Sequence, residues 1–227
     1  MKSLRFYNSD GREMQDFVPL EPGRAGLYCC GPTVYNYAHL GNLRAYTHWD
    51  VLRRTLKRFG YEVLHVMNIT DVGHLTGDGD EGEDKMIKGA RRRNMTVWEI
   101  AEFFTDAFFR DTRRLNILDP DVSPRATRHI DDMTALVQRL EERGHTYEAD
   151  GNVYFDTGGI DDYGRMALLD RQELRHGART AVDTAKKNPS DFVLWFTNSK
   201  FENQAMIWDS PWGRGYPGWH LECSAMS

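Results

Sequence analysis

The sequence is poor in cysteine, lacks any apolar run of membrane length, and carries no surplus of positive charge. Its three cysteines, Cys29, Cys30 and Cys223, cannot build a disulfide framework. Two of them are chain neighbours whose side chains point to opposite faces of an extended strand and cannot both reach one partner. Reduced thiols are expected. The start, MKSLRFYN, has no apolar core of a secretory signal, and no later stretch approaches a membrane helix, so a cytoplasmic protein with no membrane partner is expected. With 29 Lys and Arg against 34 Asp and Glu, the formal charge of −5 excludes coating of nucleic acid through a global positive field. A local basic cluster, Arg91-Arg92-Arg93, reads as a solvated helix face within reach of phosphates. No repeat appears at solenoid or propeller periods, and 20 Gly with 8 Pro give no low-complexity signature.

What is present is an ordinary globular balance: 227 residues, 40% hydrophobic and 12% aromatic, enough for one large domain or one domain with an insertion. Residues 25–30 read as a buried strand closed by Gly31-Pro32. Ala45, Trp49, Leu52, Leu56 and Phe59 then recur at helical spacing up to Gly60, and a β-rich run covers 62–69. Strand, helix, strand predicts a parallel pair with a crossover helix, whose ligand crevice lies at the carboxyl ends of the strands. The loops 31–42 and 68–71 should therefore stand side by side. Downstream, Thr96 and Glu99 form a capping box, Ser123-Pro124 reads as a cap and first turn of a second helix, and 152–156 reads as a strand. The stretch 161–190 is polar and irregular, before 192–196 returns to the core. The acidic loop 78–84 has Gly82 where a third calcium ligand is needed, and reads as solvated.

The chemistry concentrates in 30–42, CGPTVYNYAHLGN, which joins a strand to a helix start. Small residues let the backbone approach a ligand, and the helix N-terminus offers unpaired N–H groups to phosphate oxygens. His39 and Asn42, three apart on the first turn, share a face and can address one anion, although a histidine there also serves as a cap.

The chain resembles the cysteinyl-tRNA synthetases, a class I aminoacyl-tRNA synthetase family, in 27–42, 68–85 (NITDVGHLTGDGDEGEDK), 177–179, 189–195 and 208–227 (WDSPWGRGYPGWHLECSAMS). The resemblance implies an α/β fold with a Rossmann-like (HUP-type) parallel sheet, an inserted mostly helical connective region, and a sheet incomplete at the C-terminal end. It divides the chain into 1–116, 117–190 and 191–227. It also implies ATP-dependent activation of L-cysteine to an adenylate and transfer to tRNA(Cys), by a monomer using ATP with Mg2+. His39-Leu40-Gly41-Asn42 stands where the family has its HIGH signature, with Asn42 in place of the usual His. An Asn amide still donates to phosphate but never becomes cationic. Cys30 and Cys223 match two thiolate ligands of the family's zinc, which binds the substrate's sulfur. Cys29 is expected to be a core thiol. Gly31, Pro32, Thr33, Asn68, Thr70 and Trp219 match positions lining the cysteinyl-adenylate pocket. The family's other zinc ligands, a His and a Glu, and its KMSKS loop are expected beyond Ser227, which predicts weak zinc binding and little activity for these residues alone. Two other readings stand beside this one: a mycothiol-pathway cysteine ligase, and a non-catalytic nucleotide-binding paralogue.

Overall fold

The computed structural model describes residues 4–73, 85–167, 185–198 and 206–227. An N-terminal hairpin, β1 (Arg5–Asn8) and β2 (Glu13–Asp16), precedes β3 (Arg24–Cys29) and β4 (Glu62–Met67), which pair in parallel with Arg24 opposite Glu62 and Cys29 opposite Met67. The crossover is α1 (Leu40–Arg58), as the strand-helix-strand pattern requires. Gly60 adopts φ 91° just past its end, a left-handed turn that costs glycine little.

The buried face of α1 differs from the apolar stripe. Its buried residues are Tyr46, Asp50, Arg53 and Leu56, while Phe59 is exposed. Two charges go inside because each has dedicated partners. Arg53 donates to the Asp119 carbonyl (2.6 Å) and to Asp121 (2.7 Å), and Asp50 accepts from Arg54 (2.6 Å) and the Leu118 N–H (3.1 Å).

The segment after Asp121 corrects the expected helix start at Ser123-Pro124. Val122 and Arg125 form parallel bridges with Val66 and Ile69, the Val122 carbonyl accepts the Met67 N–H (3.0 Å), and the Pro124 carbonyl accepts the Ile69 N–H (2.8 Å). An extended backbone is what a residue before proline prefers, and here it lengthens the parallel ladder. Helix geometry resumes in a 3-10 turn, Ala126–Arg128, and α4 (Ile130–Glu142) follows. Between β4 and this segment come α2 (Lys85–Arg93) and α3 (Val97–Arg114). The Thr96–Glu99 capping box is present: the Thr96 N–H donates to Glu99 (2.8 Å) and the Glu99 N–H to the Thr96 hydroxyl (3.2 Å).

The stretch 117–190, expected as a connective insertion, carries two strands beside α4. β5 (Thr146–Ala149) and β6 (Asn152–Phe155) join β7 (Phe192–Phe196) and β8 (Tyr216–Pro217) in one antiparallel sheet, ordered as in the chain. The pairing of β6 with β7 crosses the expected boundary at 190, so both sides of it share one sheet. The chain then enters α5 (Trp219–Met226).

Two cores result. One packs Cys29, Val34, Met67 and Ile69 against Tyr46, Ile100, Phe104 and Phe108 of the helices. The other packs Met133 and Val137 of α4 against Val153, Trp195 and Leu221. Trp208 packs against both, and Cys29 and Met67, the last residues of β3 and β4, lie in the first.

Candidate functional site

The strand ends are tied together before any side chain acts. Thr33 and Thr70 form a parallel bridge, the Val34 N–H donates to the Thr70 carbonyl (3.1 Å), and the Thr70 N–H donates to the Pro32 carbonyl (3.0 Å). Asn68, fully buried, accepts the Gly31 N–H on Oδ1 (2.8 Å) and donates from Nδ2 to the Thr70 hydroxyl (3.1 Å). A Cβ at position 31 would stand 1.6 Å from the Asn68 carbonyl oxygen, so only glycine fits. Gly31, Pro32, Thr33, Asn68 and Thr70 are thus brought together. Asp71 turns to the opposite face, where it accepts from Thr127 N–H (2.9 Å) and hydroxyl (2.8 Å), an anchoring role.

Into this crevice come two thiols. Cys30 Sγ lies 3.5 Å from Cys223 Sγ, and Cys223 Sγ lies 3.9 Å from Asn68 Oδ1. Cys30 is exposed, Cys223 half-buried, and Cys29 buried on the other face in the core, as strand alternation requires. Burial pushes the Cys223 thiol up to about 12 and the Cys29 thiol up to about 11, so neither ionises near neutrality without a cation to replace its proton. Among the described residues no third His, Cys, Asp or Glu completes a metal-holding group with the pair.

Cys223 reaches the crevice because α5 is aimed by close backbone contacts. The Gly218 N–H donates to the Leu194 carbonyl (2.8 Å), and a Cβ at Gly218 would stand 1.9 Å from the Val193 carbonyl oxygen. Trp219 opens α5 one turn before Cys223, on the same face, and is 44% exposed, open to a ligand as well as to packing.

His39 and Asn42 sit at the other end of the loop, at the start of α1, and both are exposed, as are Leu40 and Gly41. His39 is the N-cap. Its Nδ1 accepts the Gly41 N–H (3.0 Å) and Asn42 N–H (3.4 Å), while Asn42 Oδ1 accepts the His39 N–H (3.2 Å). A ring nitrogen that accepts carries no proton, so the remaining donor is Nε2–H, and on Asn42 it is the Nδ2 amide. Among the described residues no hydrogen bond joins these two residues to the Cys30–Asn68–Cys223 cluster; the loop 31–38 connects them.

One neighbour escaped the sequence reading. Tyr28 lies against Cys223, and burial raises its phenol. Period-two alternation, which puts Tyr28 and Cys30 on one face, is the signal that finds it. The motif stretches 74–84 and 177–179 lie outside the described residues, and with them the acidic loop.

Three comparisons bear on this site. A family model for the tRNA synthetases class I (C) catalytic domain matches residues 16–227. Proteins named cysteine–tRNA ligase are similar over 99% of the chain: 58% identity in Treponema denticola, covering 46% of that protein, and 53% in Borreliella burgdorferi, again covering 46%. The chain thus spans about half the length of the curated relatives it matches. Among solved structures, a LeuRS–tRNA–LeuAMS ternary complex from Agrobacterium radiobacter K84 aligns with 60% of this chain and 17% of its own at 23% identity, with a TM-score of 0.44.

Proposed function

The chain belongs to the class I (C) tRNA synthetase catalytic-domain family, and from that membership we propose that the protein is an ATP-dependent ligase joining L-cysteine to tRNA(Cys). The observation that carries the choice of amino acid is the thiol pair, 3.5 Å apart beside Asn68 at the strand ends. In this reading the cysteine carboxylate attacks the α-phosphorus of ATP, pyrophosphate leaves, and the tRNA 3′-end then takes the cysteinyl group from the adenylate. The N–H groups at the start of α1, with His39 Nε2–H and Asn42 Nδ2, meet the negative charge on the phosphates. Gly31, Pro32, Thr33, Asn68 and Thr70 line the adenylate side, and Trp219 flanks the sulfur. Catalysis is mostly positioning, as phosphoryl chemistry demands.

Zinc fits the donor chemistry of Cys30 and Cys223. Two thiolates on one tetrahedral zinc, each at about 2.3 Å, lie about 3.8 Å apart, close to the separation found. When bound, zinc supplies a soft electrophile for the substrate's thiolate, which a serine hydroxyl matches poorly. Mg2+ accompanies ATP, the parallel ladder belongs to a Rossmann-like sheet, and the protein acts in the cytoplasm as a monomer. Among the described residues no helix is long and apolar enough to cross a membrane.

The deciding measurement is ATP–pyrophosphate exchange by the protein as encoded, with cysteine, serine and no amino acid in parallel. Cysteine-dependent exchange supports the reading. Exchange with none of them, or equally with serine, refutes it.

A further inference from the structure

The loop that carries His39 is thinly held. Past Tyr35, among the described residues, its backbone makes one bond before the helix cap, from the Tyr37 N–H to Asn36 Oδ1 (2.9 Å). What holds this stretch is side-chain packing, and it comes from α2 and α3. Tyr37, 46% exposed, meets Phe104 edge-on at 5.1 Å and Phe103 at 6.2 Å. The guanidinium of Arg93, the last residue of α2, closes this aromatic group. It stands 4.6 Å from the Phe103 ring centre, 5.1 Å from Phe104 and 5.6 Å from Tyr37. Among the described residues it has no carboxylate partner, so the rings are what its charge addresses. One turn earlier, α2 touches the same loop directly: a Cβ at Gly89 would stand 2.8 Å from the Tyr35 carbonyl oxygen.

We propose that Arg93 is a positioning residue, which through its cation–π contact with Tyr37, Phe103 and Phe104 fixes the approach to His39 and so the phosphate-facing end of α1. The inference rests on the proposed function for its catalytic consequence, and on the geometry alone for its mechanical one. No group of Arg93 touches a reacting atom. Its effect travels two residues along the chain, from Tyr37 to the helix cap, and falls on the orientation of His39 more than on affinity for the nucleotide.

Both parts are tested with Arg93→Met, which keeps length and loses charge, and Arg93→Lys, which keeps a cation over the rings. Hydrogen exchange of amides 36–42 should rise about tenfold in Arg93→Met, return toward wild type in Arg93→Lys, and stay unchanged over α3. Unchanged exchange at 36–42, or a rise spread evenly over the protein, overturns the clamp. In the protein as encoded, kcat for cysteine activation should fall about tenfold in Arg93→Met with the KM for ATP within about twofold, and Arg93→Lys should recover most of it. Arg139→Ala, at an exposed position of α4, should match wild type in both assays. A loosened loop with unchanged kcat overturns the catalytic consequence. A wild-type protein without cysteine activation refutes the proposed function instead, and the exchange measurement alone then decides the clamp.

Discussion

His39 and Asn42 cap each other: the ring Nδ1 of one accepts the other's backbone N–H at 3.4 Å, and the carboxamide oxygen returns the bond at 3.2 Å. Asparagine at position 42 therefore has a local use, since an N3 side chain with a fixed acceptor completes a capping box. Asn42→Ala should lower stability by about 1 kcal/mol, read as a lower urea midpoint with an unchanged slope. Asn42→Asp keeps the acceptor and should keep the midpoint, yet under the proposed function it places a negative charge toward the phosphates and should raise the KM for ATP. Equal urea midpoints for Asn42→Ala and wild type would show that the box contributes nothing.

Gly31 is a steric requirement. Gly31→Ala drives a methyl into the Asn68 carbonyl, and no rotamer relieves a clash with backbone. The strand ends must part, at a cost of about 2 to 3 kcal/mol. Thermal unfolding measures it, and a melting temperature within a degree of wild type would contradict the close approach.

For the thiol pair, Cys30→Ser in the protein as encoded should lower zinc content measured by elemental analysis and raise the cysteine requirement. Cys29→Ser should leave zinc content alone, because that side chain faces the core. Unchanged zinc in Cys30→Ser would remove it from the ligand set.

His65 gives a pH dependence. It is 2% exposed on β4, and burial first, then the neighbouring Arg53 and Lys57, lower its pKa, with Asp121 and Asp50 opposing. The fold therefore favours the neutral ring. Above about pH 6.5, where the unfolded chain's histidine is neutral too, His65 contributes no penalty. As the pH falls from there through the lowered folded value, the unfolded state gains the proton first and stability is lost. Urea midpoints at pH 7.5 and 5.5 should differ less in His65→Phe than in wild type; the same difference in both would exclude His65 as a source.

The parts of the fold that could be read along the chain are those with a local cause. The crossover helix, the parallel pair, the Thr96 cap and the opposite facing of Cys29 and Cys30 follow from spacing, capping chemistry and strand alternation. Asp50 and Arg53 were hidden because Leu118, Asp119 and Asp121, which hold them alongside the nearby Arg54, are remote in sequence. The extended run at 122–125 was hidden because its reason is a ladder with β4 rather than its own propensity, and Ser-Pro is an equally good helix start. The antiparallel sheet was hidden for a related reason: β6 and β7 are separated by a long polar stretch, and their pairing shifts register between Val153 and Tyr154. At the site, Gly31, Pro32, Thr33, Asn68 and Thr70 came with the family resemblance, whereas the thiol pair became a pair only when α5 was placed.

Cys30 and Cys223 are 193 residues apart, each delivered by a different core. Contacts of such long range form late in folding, because loop closure must precede them. A chain with either core unformed has its thiols far apart. Under the proposed function the pair is thus a checkpoint: zinc uptake, followed over time after dilution from denaturant, should lag behind the growth of helical signal and mark the moment at which the last tertiary contacts close.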